Sequence, residues 1–143
     1  MHVASELSRL LGPLRRALLR RTRDAAGLPD LPEAQIQLLR VLEDGRAVGM
    51  RDVADRLQLA PSTVSNLVRT MTAHGLVERR TSDADLRSAE LVATDHALGL
   101  LHRYDELSDI ALRNALDDLS ARDRNAIVKA VPALRQLLQS LER

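Results

Sequence analysis

The feature that most constrains the fold is a helical repeat of apolar residues between Pro61 and Gly75. Apolar side chains recur there every three or four residues, which predicts an amphipathic helix; they are Val64, Leu67, Val68 and Met71. Pro61 suits the first turn, because the N–H that it lacks would have no partner there. Gly75 suits the residue after the helix, because glycine readily adopts the left-handed conformation. A short helix from Met50 to Leu57 precedes it, so two helices joined by a brief turn are predicted.

The rest of the chain favours helices, with one hairpin. Phe and Trp are absent and Leu and Ala abound, a composition that suits helices better than sheets. Further helices are predicted over residues 5–23, 33–44 and 95–116, and after Ser120, which with Asp123 resembles a helix-start box. Strands over 76–80 and 89–93, separated by a polar loop, predict a β-hairpin. The predicted fold class is mostly α with a small β-hairpin.

Composition excludes several classes of function. The chain has no cysteine, so disulfides, thiol redox switches and cysteine-ligated zinc are excluded. No glycine-rich phosphate loop or nucleophile elbow is present, so we expect neither an enzyme nor a cofactor. No apolar run approaches the ~18 residues of a membrane span, and the first residues do not form a signal peptide. We therefore expect a cytoplasmic protein with no membrane partner.

The histidines do not require a metal site. His102 and Glu106 are four residues apart on one helical face, with Asp105 and Asp109 nearby, and ligands at this spacing can share a metal. Ordinary charges on a surface helix explain the same residues equally well. No metal site is predicted.

The polar face of the helix after Pro61 predicts contact with double-stranded DNA. Small polar and basic side chains line it; they are Ser62, Thr63, Ser65, Asn66, Arg69 and Thr70. Asn bonds adenine through two groups at once, and Ser or Thr bonds several bases or phosphate. Arg69 and Thr70 come later along the helix, so we expect them at backbone phosphates. For the helix alone, a face that merely meets water remains the alternative.

The hairpin loop strengthens the DNA interpretation. A loop just after a reading helix can reach the adjacent minor groove, where an arginine senses groove width and negative potential, and Arg87 is the candidate. Asp85 is expected to hold an arginine in position by a charge-assisted hydrogen bond. A solvated, charged turn is the alternative for this loop.

Three stretches of the chain resemble the MarR (multiple antibiotic resistance regulator) family of winged-helix repressors. The stretches are residues 52–57, residues 62–68 continuing through 73–79, and the Asp85-Leu86-Arg87 signature of the wing, closing at Thr94. The resemblance implies a single domain over 1–143, with a winged helix-turn-helix DNA-binding unit at 31–94 and dimerisation helices at 1–30 and 95–143. Apolar stripes on the first and the last two helices also favour a second copy as their cover, with an intramolecular bundle as the alternative.

The resemblance further implies a homodimeric repressor on a palindromic operator, released by a small aromatic or anionic effector. The implied ligand pocket is lined by Leu11, Leu14, Arg15, Leu18, Ile36 and Leu39. The chain departs from the family pattern at three positions, with Ala60 in place of a capping residue, Leu86 in place of an arginine and Ala97 in place of a glycine. Arginines and acidic residues balance over 51–94. A winged-helix protein-interaction module that has lost specific DNA binding is therefore the alternative function.

Overall fold

A computed structural model describes residues 2–26, 28–82 and 87–143 of the chain. The helices are α1 (Val3–Ala26), α2 (Glu33–Val41), α3 (Met50–Leu57), α4 (Pro61–Ala73), α5 (Asp95–Asp117) and α6 (Ala121–Leu141). The strands are β1 (Val48–Gly49), β2 (Val77–Thr81) and β3 (Ala89–Ala93). The predicted mostly α fold with a β-hairpin is confirmed.

The structure differs from the predicted elements by one residue at β2 and at the end of α5, and by more at three places. Helix α1 extends beyond the predicted residues 5–23 at both ends, from Val3 to Ala26, and continues through Pro13. Helix α2 ends at Val41 rather than at residue 44, because the chain then turns towards Gly45, whose φ is +78°. Strand β1 was not predicted, since two residues are too short to show an alternating pattern.

The chain forms two compact units. The helical unit comprises Met1–Thr22 with Leu107–Arg143, and the central unit comprises Arg23–Glu106. The central unit contains the whole of the predicted DNA-binding segment 31–94 and extends beyond it at both ends. Both candidate DNA-contacting elements therefore belong to one compact unit. They are α4, which we call the reading helix, and the hairpin of β2 and β3.

The three strands form an antiparallel sheet in the order β1-β3-β2. Val77 pairs with Ala93, and Arg79 pairs with Leu91. Because side chains alternate along a strand and paired residues share a face, Val77, Arg79 and Leu91 point to the same side of the sheet. Leu91 is fully buried, so this is the side that faces the core of the central unit.

The core of the central unit holds α4 in place. Its largest fully buried side chains come from α2 and the residue after it, α3, α4 and the sheet, and they are Leu38, Leu39, Leu42, Val53, Val64, Met71, Val77 and Leu91. Burying one such side chain contributes roughly 1.5–3 kcal/mol relative to leaving it exposed. The apolar stripe predicted for the helix after Pro61 is thus its anchor.

A bidentate ion pair joins α2 to the middle of α5 within the central unit. Arg40 Nη1 donates to Asp105 Oδ2 at 2.7 Å, and Arg40 Nη2 donates to Asp105 Oδ1. The hydrogen bonds to Asp105 raise the pKa of Arg40 above its already high value, so the guanidinium stays charged at any physiological pH.

The helical unit exposes most of its apolar side chains. Ser120 caps α6 by accepting a hydrogen bond from the N–H of Asp123 at 3.1 Å, which confirms the predicted helix start. Among the described residues, α6 has no buried side chain. None of the described helices combines the length and the apolar character that crossing a bilayer requires.

Candidate nucleic-acid interface

The turn between α3 and α4 sets the direction of the reading helix. Gln58 ends α3 in the left-handed conformation, with φ of 53°. The N–H of Leu59 then bonds to the carbonyl of Ala54 at 3.1 Å, which closes the end of α3. Helix α4 begins at Pro61, and its preceding residue, Ala60, makes no side-chain capping bond. The brief turn predicted from the sequence therefore spans Gln58 to Ala60.

Helix α4 has one buried face and one exposed face. Val64, Val68 and Met71 are buried against the core. All six side chains assigned to DNA contact on this helix are exposed; they are Ser62, Thr63, Ser65, Asn66, Arg69 and Thr70. The structure thus brings together the six residues as a polar surface on a helix that is fixed from behind.

Two of these side chains bond to each other. Arg69 Nη2 donates a hydrogen bond to Asn66 Oδ1 at 2.9 Å. The Thr70 hydroxyl donates to the backbone carbonyl of Asn66 at 3.3 Å. Asn66, Arg69 and Thr70 are therefore ordered relative to one another on the exposed face.

The wing brings Arg87 towards the reading helix. Ser82 and Ser88 close the loop through a backbone hydrogen bond of 2.9 Å, one step beyond the paired strands. Arg87 lines a cavity of about 510 Å³ together with Ser65 of α4 and Arg79 of β2. Asp85, predicted to support the wing, and the departure at Leu86 lie outside the described residues.

The same cavity identifies two arginines to which the sequence interpretation gave no role in DNA contact. Arg79 and Arg51, the latter in the first turn of α3, line it beside Ser65 and Arg87. Arg79 also borders Ser65 and Arg69 along the side of α4. Because side chains alternate along a strand and Val77 is buried, the sequence pattern could have placed Arg79 on the side of the sheet that faces the core. No sequence spacing could have brought Arg51 to this place, because it arrives there through tertiary packing.

Charge on the central unit is unevenly distributed, although the segment 51–94 is neutral in sum. Two acidic residues of this segment pair with arginines that do not line that cavity. Glu78 pairs with Arg80 at 3.2 Å, and Asp52 lies 3.8 Å from Arg56. Arg51 and Arg79 make no ion pair within the described part of the chain. A basic groove therefore lies along α4, which we define by Arg51, Ser65, Arg79 and Arg87.

The residues predicted to line a ligand pocket fall into both compact units. Leu11 and Leu14 are exposed on α1 of the helical unit, and Leu18 is half-buried there. Ile36 and Leu39 are buried in the core of the central unit, with exposures of 4% and 0%. Arg15 belongs to the exposed part of α1. A pocket formed by these residues stays a prediction.

The residues weighed as metal ligands form an ordinary surface pair. His102 Nε2 lies 3.2 Å from Glu106 Oε1, one helical turn along α5, and both side chains are exposed. Across residues 2–26, 28–82 and 87–143, no group of three or more histidine or carboxylate side chains could hold a metal ion.

The chain is similar to known proteins in both sequence and fold. The model of the MarR family matches residues 26–88. The chain is 23% identical over 127 residues to YfiV of Bacillus subtilis, an uncharacterized HTH-type transcriptional regulator, covering 83% of this chain and 79% of that protein. Streptococcus pneumoniae FabT in complex with DNA is 18% identical, with a TM-score of 0.74 over 98% of this chain and 99% of FabT.

MepR, a transcription regulator of the Staphylococcus aureus multidrug efflux pump MepA, is 23% identical, with a TM-score of 0.70 over 94% of this chain and 97% of MepR. The fold of the chain is thus similar to the folds of FabT and MepR along nearly its whole length. The family model covers α2, α3, α4 and β2, the elements that form and position the polar surface. Over residues 26–88 the chain is thus similar to the MarR family, and its fold is similar to those of FabT and MepR.

Proposed function

We propose that the chain is a sequence-specific DNA-binding repressor that acts as a homodimer on a palindromic operator and is released by a small ligand. The observation that carries DNA binding is the polar face of α4, whose six predicted contact residues are all exposed while Val64, Val68 and Met71 anchor it. In a helix-turn-helix, such a helix lies in the major groove with its first residues at base edges. The basic groove beside it supplies arginines for phosphates.

A fold shared with DNA-bound FabT supports the same proposal. The wing of the hairpin carries Arg87 beside Ser65, so a duplex on α4 would also meet the wing. A cluster of arginines on one face is the electrostatic footprint of a nucleic-acid-binding surface. A protein-interaction module would need this basic groove only for an acidic partner.

Exposed apolar surface supports the homodimer. Among the described residues, every large apolar side chain that is exposed belongs to the helical unit. On α6 these side chains include Ile127, Val131, Leu134 and Leu138, which repeat every three or four residues and form one stripe. A contiguous apolar face of this kind marks an interaction site, and two-fold dimers are the commonest soluble oligomers. A two-fold dimer requires a palindromic site.

A cavity in the central unit supports release by a ligand. It has a volume of about 520 Å³, and mainly apolar side chains line it, including Leu31, Leu76 and Leu100. Gln35, which is 6% exposed, and Thr70 of α4 border the same cavity. Gln35 brings a side-chain amide to this cavity, which is placed to bond a polar group of a ligand. A ligand there would touch the reading helix through Thr70.

Footprinting on the DNA that flanks the gene tests sequence-specific binding. The purified protein should protect two half-sites about one helical turn apart, since a dimer places two reading helices in successive major grooves. Ser65→Ala should weaken binding to that site far more than binding to random duplex, because only a base contact distinguishes the two. Absence of binding to any duplex at low salt would support the interaction module instead.

Repeating the footprint with small aromatic acids tests release. A ligand that releases the operator should also raise the thermal unfolding midpoint, because binding to the folded state alone stabilises it. Gln35→Leu should abolish both effects and leave DNA binding intact, because Gln35 is a buried residue of α2 and is not one of the exposed polar residues of α4. Release that persists in Gln35→Leu would show that the effector does not depend on Gln35.

A further inference from the structure

Two cavities of the central unit adjoin each other beside α4. The first is the basic groove, with a volume of about 510 Å³. The second, of about 480 Å³, shares Ser65 and Arg79 with the groove; its other lining residues are Val68, Arg69, Thr72 and Ala73. Each volume lies in the range of about 300–1,000 Å³ that small-molecule sites occupy. Because the cavities have two lining residues in common, one ligand can extend from the first into the second.

The basic groove concentrates positive charge from three elements. Arg51 comes from α3, Arg79 from β2 and Arg87 from the wing. No acidic side chain is among the lining residues of the groove in the part of the chain that the structure describes. Guanidinium groups around one cavity repel each other, so an anion bound among them relieves that repulsion. Ser65 adds a hydroxyl, which can donate a further hydrogen bond.

A phosphomonoester matches this groove better than a phosphate of the DNA backbone does. It carries about −1.5 to −2 charges at pH 7 and offers three strong acceptor oxygens. Each phosphate of a duplex is a diester and carries a single negative charge. Guanidinium groups bond phosphate oxygens through two parallel N–H groups, and the charges strengthen these bonds. The groove therefore favours the terminal phosphate of a small molecule.

The second cavity suits the remainder of a nucleotide. Val68 and Ala73 supply apolar surface, and the side chains of Arg69 and Arg79 border it. Arg69 Nη2 donates to Asn66 Oδ1 at 2.9 Å, which orders this guanidinium on the exposed face of α4. Planar guanidinium groups stack on nucleobases where proteins bind unpaired bases. A planar base therefore fits next to the phosphate-binding groove.

We propose that the two cavities together bind a nucleotide with a terminal phosphomonoester, its phosphate in the basic groove and its base in the second cavity. This site shares no lining residue with the cavity beside Gln35 that we assign to the effector. A bound nucleotide occupies arginines that the proposed function gives to a duplex, so it competes with DNA. The competition rests on the proposed function, whereas nucleotide binding itself does not.

Calorimetric titration of the full-length protein without DNA, at low salt, tests the site with adenosine monophosphate (AMP), cyclic AMP, adenosine and inorganic phosphate. Cyclic AMP keeps the base and sugar of AMP but is a phosphodiester. AMP should bind at least about tenfold tighter than cyclic AMP, the effect of one hydrogen bond between charged groups. AMP should exceed adenosine and inorganic phosphate by a similar factor, since each of these fills only one cavity. Equal affinities for AMP and cyclic AMP, or for AMP and inorganic phosphate, would overturn the proposed ligand class.

Substitutions in each cavity test the placement of the ligand. Arg79→Gln should weaken AMP binding at least about tenfold, because Arg79 borders both cavities. Arg80→Gln is the matched control, since Arg80 is the next residue of β2 and pairs with Glu78. Ala73→Leu fills the second cavity, so it should weaken AMP binding and leave inorganic phosphate binding unchanged. Equal losses from Arg79→Gln and Arg80→Gln would show a general attraction of anions to arginine and overturn the site.

A labelled duplex tests the competition at constant ionic strength. AMP should raise the apparent Kd of the duplex in proportion to its concentration, and Ala73→Leu should require more AMP for the same effect. A protein that binds duplex but not AMP would overturn the inference and leave the proposed function standing. A protein that binds AMP but no duplex at low salt would overturn the proposed function and leave the nucleotide site standing. AMP binding that leaves duplex affinity unchanged would overturn the competition.

Discussion

The side-chain hydroxyl of Thr94 lies 2.7 Å from the carbonyl oxygen of Gly75 and joins the end of α4 to the beginning of α5. The hydroxyl donates to Gly75 and accepts a hydrogen bond from the N–H of Ala97 at 3.1 Å. Gly75 has a φ of +69°, a conformation that glycine adopts without strain. One side chain thus satisfies a carbonyl after the reading helix and an N–H in the first turn of the next helix.

Replacing Thr94 by Val should lower the free energy of unfolding by about 0.5–2 kcal/mol, because it removes the hydroxyl that caps α5 at the Ala97 N–H and bonds the Gly75 carbonyl. Val keeps the shape of Thr, so packing changes little. Thr94→Ser is the matched control, since it retains the hydroxyl. Urea unfolding, monitored by circular dichroism, gives the free energy of unfolding of both variants. Equal midpoints for Thr94→Val and wild type would show that the hydroxyl contributes no stability.

Much of the central unit could be predicted from the sequence because its signals are local. The apolar repeat from Val64 to Met71 marks the buried face of α4, and Pro61 marks its beginning. Strand β1 gives no such signal, because Val48 and Gly49 become a strand only by pairing with Leu91 and Glu90 of β3. A partner that lies some forty residues away along the sequence is a tertiary effect, which local pattern does not contain.

The candidate site was predicted where one helix supplies the residues and missed where several elements converge. Six of its side chains share α4, so helical spacing placed them together. Arg51 reaches the basic groove through the packing of α3, and its spacing from Ser65 carries no information about that contact. Asn66 and Arg69 stand at i and i+3, so their contact was open to prediction, but the direction of the amide follows only from the atoms.

Ala60 offers a way to separate stability from DNA affinity. The residue before α4 makes no capping bond, so Ala60→Ser should add one to the N–H of Thr63 and raise stability by about 1 kcal/mol. Ala60→Asp should stabilise at least as well, because a carboxylate also favours a helix N-terminus. Only Ala60→Asp should weaken DNA binding, since its charge opposes phosphate. Thermal unfolding and a binding titration measure the two effects.

If Ala60→Ser has no higher thermal unfolding midpoint than wild type, the N–H groups in the first turn of α4 are already hydrogen-bonded to solvent. Equal operator affinity for Ala60→Asp and Ala60→Ser would place the start of α4 away from the phosphates. That second result would also contradict the docking of the first turn of α4 at base edges.

Arg79 and Arg80 form a matched pair for testing the basic groove. The two are adjacent on β2, but Arg79 lines the groove while Arg80 pairs with Glu78 at 3.2 Å. Arg79→Gln should lower affinity for all duplexes and reduce the salt slope by about one, as expected for loss of a phosphate contact. Arg80→Gln should change both much less. Titrations at several salt concentrations check this; equal effects from the two variants would argue against a groove-specific contact.

The last prediction concerns the apolar stripe of α6. Leu134, which is 43% exposed in the single chain, lies on this stripe, whereas Gln136 lies on the opposite side of the helix. If a second copy covers the stripe, Leu134→Asp buries a carboxylate in an apolar interface and should raise the dimer Kd at least about 30-fold, the effect of losing a strong interface contact.

Gln136→Asp adds the same charge on the other side of α6 and should leave the dimer intact. Sedimentation at several protein concentrations measures both variants, with circular dichroism to confirm that helix content is retained. Because a palindrome needs two reading helices, Leu134→Asp should also lose operator affinity steeply while keeping weak binding to a single half-site. A Leu134→Asp protein that still sediments as wild type would show that α6 meets water rather than a second copy.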